Sequence, residues 1–109
     1  MANIYKNALV AIDTTNQKTL YAAPLGTTSI IKYINVANTT AAASTITLTI
    51  RKGSNAALFP VVLTVAVSPF ANLALTGSNS IVLESTDSIL VLAAHVDRLV
   101  VVASILEIT

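Results

Sequence analysis

The stretch from Ser44 to Arg51 alternates without a fault. Ile46, Leu48 and Ile50 fall on one side, and Thr45, Thr47, Thr49 and Arg51 on the other. Successive side chains of a pleated backbone point to opposite faces, so a period of two predicts a half-buried strand. Upstream, Thr28 to Asn38 predicts a second strand with two imperfect faces. Ile30, Ile34 and Val36 share one parity with Lys32, while Ile31, Tyr33 and Ala37 share the other with Asn35. Lys32 is expected near an edge or snorkelling outward. Asn38-Thr39-Thr40 and the alanines after them form the turn into the cleaner strand.

Two segments are apolar on both parities. In Leu58 to Val67, Leu58, Val62 and Ala66 lie with Pro60 and Thr64, opposite Phe59, Val61, Leu63, Val65 and Val67. In Arg98 to Ile108, Leu99, Val101, Ala103 and Ile105 oppose Val100, Val102, Leu106 and Ile108. Such strands are usual in parallel sheets covered by helices, but no convincing helix is predicted here. One face is therefore expected on the domain core and the other against a neighbouring subunit. Pro60 lacks an N–H and belongs at an edge or bulge.

Shorter strands are predicted at Ala8 to Ile12 and Thr19 to Ala23, around a polar turn at Asp13 to Asn16. Ile81 to Glu84 and Ile89 to Ala94 flank a turn at Ser85 to Ser88, and Thr76 to Ser80 predicts a loop. The total is about seven or eight strands, regularly spaced, which predicts an all-β, single antiparallel β-sandwich or jelly-roll-like domain over residues 1–109. The pattern leaves jelly-roll and immunoglobulin-like topologies both open.

Composition sharpens this picture. Of 109 residues, 54% are hydrophobic and 10% charged, where an average soluble domain is about 25% charged. The shortage of charge, with the doubled apolar faces, points to a homo-oligomer, because monomers rarely expose large apolar patches. The expected subunit-interface residues are Phe59, Val61, Leu63, Val65, Phe70, Val100 and Val102. A formal net charge of +1 with dispersed basic residues argues against a nucleic-acid partner. Ala56 to Leu75 carries no charge, but Pro60, Pro69 and the branched interior oppose a membrane-spanning helix, and no membrane partner is expected. The opening Met1 to Asn7 lacks the pattern of a secretory signal.

Candidate chemistry is sparse. There is no cysteine, and His95 is the single histidine. The carboxylates Asp13, Glu84, Asp87, Asp97 and Glu107 form no catalytic signature, and Gly26, Gly53 and Gly77 are isolated. Glu84 and Asp87 flank one turn, where a capping Asp87 beside a solvated Glu84 is expected rather than a cation site. His95 is expected as a structural or rim residue. No enzyme activity, catalytic residue, cofactor or metal is expected.

Four blocks nevertheless resemble a known family. They are Pro24-Leu25-Gly26-Thr27-Thr28, Ile34-Asn35-Val36-Ala37-Asn38-Thr39-Thr40, Ile81-Val82-Leu83-Glu84-Ser85-Thr86-Asp87-Ser88-Ile89 and Val101-Val102-Ala103-Ser104-Ile105-Leu106-Glu107-Ile108. In this order they are similar to small virion structural proteins of tailed bacteriophages. This chain has Ser85-Thr86 where that family often carries glycine before the Asp, so this turn is expected to differ in type. The resemblance implies a non-enzymatic component of a phage particle made in the host cytoplasm. A capsid cement or decoration protein is expected first, a homo-oligomer with a trimer favoured, partnered by itself and the major capsid protein. The alternative is a neck or tail-fibre adaptor, or a receptor- or glycan-binding module, partnered by neck or tail proteins. The resemblance carries over no site residue.

Overall fold

In a computed structural model, residues 3–75 and 80–109 are described. Nine strands appear among them: β1 (Asn3–Ala11), β2 (Lys18–Ala22), β3 (Thr28–Asn38), β4 (Ser44–Arg51), β5 (Leu58–Val67), β6 (Asn72–Ala74), β7 (Ile81–Leu83), β8 (Ser88–Ala93) and β9 (Leu99–Ile108). The predicted bounds of β3, β4 and β5 hold. β1 begins five residues before the expected Ala8, and β6 was not expected at all. The predicted loop at Thr76 to Ser80 lies outside the described residues except for Ser80.

The strands form two antiparallel sheets. One runs β1-β9-β3-β6, with β7 also paired to β3, and the other runs β2-β8-β4-β5. β6 lies against Asn35 to Ala37 and β7 against Ser29 to Ile31, so the two short strands share one edge of β3. The chain crosses between sheets at most connections, which winds it into a double-sheet jelly roll. This resolves the topology that alternation alone left open.

One buried cluster lies between the sheets. Ile31, Ile34 and Val36 of β3 and Val101, Ala103 and Ile105 of β9 meet Ile46 and Leu48 of β4 and Ile89 and Val91 of β8. Burying each such branched side chain contributes about 1.5–3 kcal/mol. The switch of apolar parity within β3 has a local cause. Its register against β9 shifts between Ile31 and Tyr33, so Ile31 and Ile34 both face inward. Lys32 is the extra residue of this bulge and is exposed, turned outward as expected, between the stretch of β3 paired with β7 and the stretch paired with β6.

β5 departs further from its predicted faces. Its register against β4 shifts twice, bringing Val65 opposite Ile46, Val62 opposite Leu48 and Phe59 opposite Ile50. Cross-strand partners share a face. Phe59, Val62, Val65 and Val67 therefore turn toward the inner side, and the alternation expected from Phe59 through Val67 is broken at the bulges. Thr64, in the second bulge, has φ 52° and donates its N–H to Thr47 Oγ1 at 3.0 Å.

Among the described residues no helix is long and apolar enough to cross a membrane.

Candidate functional site

β9 presents Leu99, Val101, Ala103 and Ile105 to the core, so Val100, Val102, Leu106 and Ile108 must face outward. Register extends that outer face to its neighbours. Tyr5 stands opposite Leu106 and Leu9 opposite Val102 on β1. Ile30 stands opposite Leu106 and Asn35 opposite Val102 on β3, and Val82 of β7 lies opposite Ile30. The result is a four-strand surface with Tyr5 76%, Leu9 64% and Val82 59% exposed. Lys32 is also placed on it, where it lines a shallow hollow of about 370 Å³ with Tyr5, Lys6, Asn7, Ser104 and Ile105.

Part of the polarity of this face is consumed internally. Asn35 Oδ1 accepts from the Tyr33 hydroxyl at 3.2 Å and from Asn72 Nδ2 at 3.0 Å. Pairing these groups with one another lowers the cost of removing the face from water. The outer face of the other sheet is chemically different, with Thr45, Thr47 and Arg51 of β4 along it.

The seven predicted interface residues fall in three places. Val100 and Val102 lie on the apolar face just described. Phe59, Val61, Leu63 and Val65 lie on β5, at the far edge of the other sheet; Leu63 is 69% exposed, whereas Val65 is half-buried. Phe70 lies on the connection from β5 to β6, exposed, with φ 52° and its N–H bonded to Thr40 O at 3.1 Å. Beneath that connection the buried Asn38 side chain donates to Ala42 O at 2.8 Å and Val67 O at 3.3 Å, and accepts from Thr40 N at 2.9 Å. The structure does not gather the seven into one surface. It adds Tyr5, Leu9 and Val82, which the sequence reading missed; the alternation Tyr5-x-Asn7-x-Leu9-x-Ala11 carried the signal for the first two.

Several titratable groups are tied into the fold. Asp87 is buried and accepts from Lys52 Nζ at 2.8 Å, Gly53 N at 3.0 Å and Glu84 N at 3.1 Å. Burial pushes its carboxyl up, but the Lys52 ammonium and the two N–H groups outweigh this and hold it below its ordinary value. Glu84 Oε1 lies 3.1 Å from the same ammonium, so the charge between these two carboxylates is the chain's own Lys52. Asp87 thus caps its turn as expected and also anchors the β4–β5 loop. Thr86, in that turn, has φ 70°, a left-handed conformation that glycine enters freely.

At the opposite end, the exposed His95 has Nδ1 3.2 Å from Ser44 Oγ, tying the β8–β9 loop to the start of β4. Between the sheets, Tyr21 of β2 donates its hydroxyl to the buried Glu107 of β9, and that hydroxyl is also 2.8 Å from Ser29 Oγ. Lys6 Nζ stands 3.3 Å from Glu107. Among the described residues no group of three or more His, Cys, Asp or Glu side chains is placed to hold a metal ion.

No protein-family model matches the sequence, and no curated protein sequence matches it. Solved structures do share the fold. A chain of the T13 IBDV viral particle superposes with a TM-score of 0.55 at 9% identity over 96% of this chain, which spans 30% of that chain's length. A chain of Bacillus endospore appendages, disulfide-linked pili, superposes with a TM-score of 0.58 at 11% identity, over 98% of this chain and 88% of the other. The jelly roll seen here is therefore one also found in an icosahedral virus particle and in a pilus.

Proposed function

We propose that this chain is a non-enzymatic structural subunit that self-associates through the outer face of the β1-β9-β3 sheet, as a capsid cement or decoration protein of a phage particle. The observation that carries the reading is that face: strongly exposed Tyr5, Leu9 and Val82, with Lys32 and Lys6 about one shallow hollow among them. Large apolar faces of this kind mark interaction surfaces, and those of permanent assemblies resemble a domain core cut in half. The fold supports the reading in kind, since its structural neighbours come from a virus particle and a pilus. Any pilus-like linkage made by these residues would not be a disulfide, because the sequence has no cysteine. The carboxylates Asp87 and Glu107 are occupied by partners within the fold, which favours a structural over a catalytic role.

Two measurements test it. Light scattering across a concentration series should give a mass above that of the 11.3 kDa chain; a monomer at every concentration would remove the reading. Gold-labelled antibody should decorate the whole capsid shell. Label confined to the neck or tail would replace the cement role with an adaptor role.

A further inference from the structure

Among the described residues, one sheet edge is left open. The β5 edge is broken by two register shifts, Pro60 and the left-handed Thr64. β2 has five residues and a shift between Thr19 and Tyr21. β6 and β7 have three residues each. Bulges, prolines, short strands and inward-pointing charges are devices that stop edges from pairing with other chains. β1 has none of the first three, and its one charge, Lys6, is paired with Glu107 of its own sheet at 3.3 Å. Its nine residues pair with β9 in unbroken register, and it contains no proline or glycine.

Its free hydrogen-bonding groups can be assigned. Ile12 donates its N–H to Leu99 O at 3.0 Å, in line with the register of Ala11 opposite Val100. Antiparallel pairs alternate between bonded and non-bonded positions. Even-numbered residues therefore bond β9, and odd-numbered residues direct N–H and C=O groups away from the sheet. Lys18 Nζ, 3.4 Å from Ala11 O, reaches one of these outward carbonyls. Tyr5, Asn7 and Leu9 supply the remaining central positions.

We propose that β1 pairs antiparallel with β1 of a second copy about a two-fold axis at Asn7, joining the two sheets edge to edge. This rests on the self-association proposed above and adds its geometry. The second copy is favoured because the large apolar residues of β1, Ile4 with Val10 and Tyr5 with Leu9, are placed symmetrically about Asn7. The axis sets Tyr5 opposite Leu9 of the second copy on the outer side, and Ile4 opposite Val10 on the inner side. Asn7 meets its own equivalent as a bonded pair, the type that its outward groups require. Charge also balances at the seam, since each Lys6 brings its own Glu107 at 3.3 Å. Pairing would merge two apolar faces into one continuous surface.

The chain's lack of cysteine makes the test direct. Bonded partners in an antiparallel pair have Cα atoms about 5.5 Å apart, inside the span of a disulfide. Asn7→Cys, under mild oxidation, should form a covalent dimer at least tenfold faster than Leu63→Cys on the guarded β5 edge. Equal rates would overturn the pairing. Asn7→Pro removes an outward N–H while sparing the ladder to β9, and proline is tolerated at such edge positions. With unchanged far-UV circular dichroism, it should lower the mass seen by light scattering. An oligomer that survives Asn7→Pro, with no preferential Asn7→Cys dimer, removes the edge pairing but leaves assembly through the outer face standing. A wild-type monomer with no Asn7→Cys dimer removes both.

Discussion

The Tyr21 hydroxyl crosses the sandwich to donate a hydrogen bond to Glu107, joining β2 of one sheet to β9 of the other. Glu107 sits on the inward parity of β9, continuing the row of Val101, Ala103 and Ile105. A carboxylate placed there needs partners, and Tyr21 and Lys6 supply them. Tyr21→Phe removes one partner while the carboxylate stays buried. The expected loss is about 1–3 kcal/mol, read as a lower urea midpoint with unchanged slope.

The same pair sets the response to pH. The Tyr21 hydrogen bond, opposed by burial and aided by Lys6, holds Glu107 below its ordinary value of 4.5. Asp87 is likewise held below 3.8. A carboxylate lowered on folding contributes stability above its unfolded value, and that contribution is lost as pH falls through the folded one. The melting temperature should be level from neutrality down to about pH 5 and then fall steadily in acid. In Glu107→Gln the acid decline should be shallower.

At alkaline pH the sign reverses. Burial and the neighbouring Glu107 push the Tyr21 phenol up from 10.0 to about 12. Its contribution is present below pH 10 and is lost as pH rises toward 12. Tyrosinate absorbance should show one ring ionising near pH 12, and Tyr21→Phe should remove that step.

Asp87 ties two turns with one carboxylate. Asp87→Ala leaves the N–H groups of Gly53 and Glu84 without their acceptor and the Lys52 ammonium with Glu84 alone. The expected cost is about 1–3 kcal/mol by urea denaturation. Asp87→Asn, which keeps an acceptor, should cost less.

Gly53 is fixed by proximity. A Cβ there would collide with Thr86 Oγ1 and lie 2.5 Å from Thr86 O. Gly53→Ala should therefore lower the melting temperature, and Thr86→Ala should not restore it, because the backbone oxygen remains.

On assembly, the two apolar regions make separate predictions. Leu63 was expected between subunits, so Leu63→Asp tests the β5 edge, while Leu9→Asp tests the outer face of the β1-β9-β3 sheet. Leu9→Asp should shift the light-scattering mass toward the monomer, and Leu63→Asp should shift it less. The reverse order would move the assembly surface to β5.

Regular alternation made much of the fold legible. The bounds of β4 could be read directly because no bulge interrupts its faces, and the doubled faces of β9 correctly implied an apolar surface outside the core. What escaped was non-local. The bulges of β5 appear only when its register against β4 is known, and they dispersed residues that simple parity placed together. The role of Lys52 was hidden because Asp87 lies far along the chain from it. Tyr5 and Leu9 gained significance only when β1 proved to lie beside β9. Opposite charges, bulges and strand neighbours are decided by tertiary pairing, which a local pattern does not contain.

The position of β9 between β1 and β3 has a consequence for synthesis. Its residues 99–108 form the hinge of that sheet, yet they are translated after every strand they join. A nascent chain can close β4 on β5 and β3 on β6 and β7 early, but β1 must wait for β9, its one partner strand among the described residues. Such long-range closure slows folding. Until β9 arrives, β1 has no strand to pair with, and its backbone is open to whatever else the ribosome's surroundings offer.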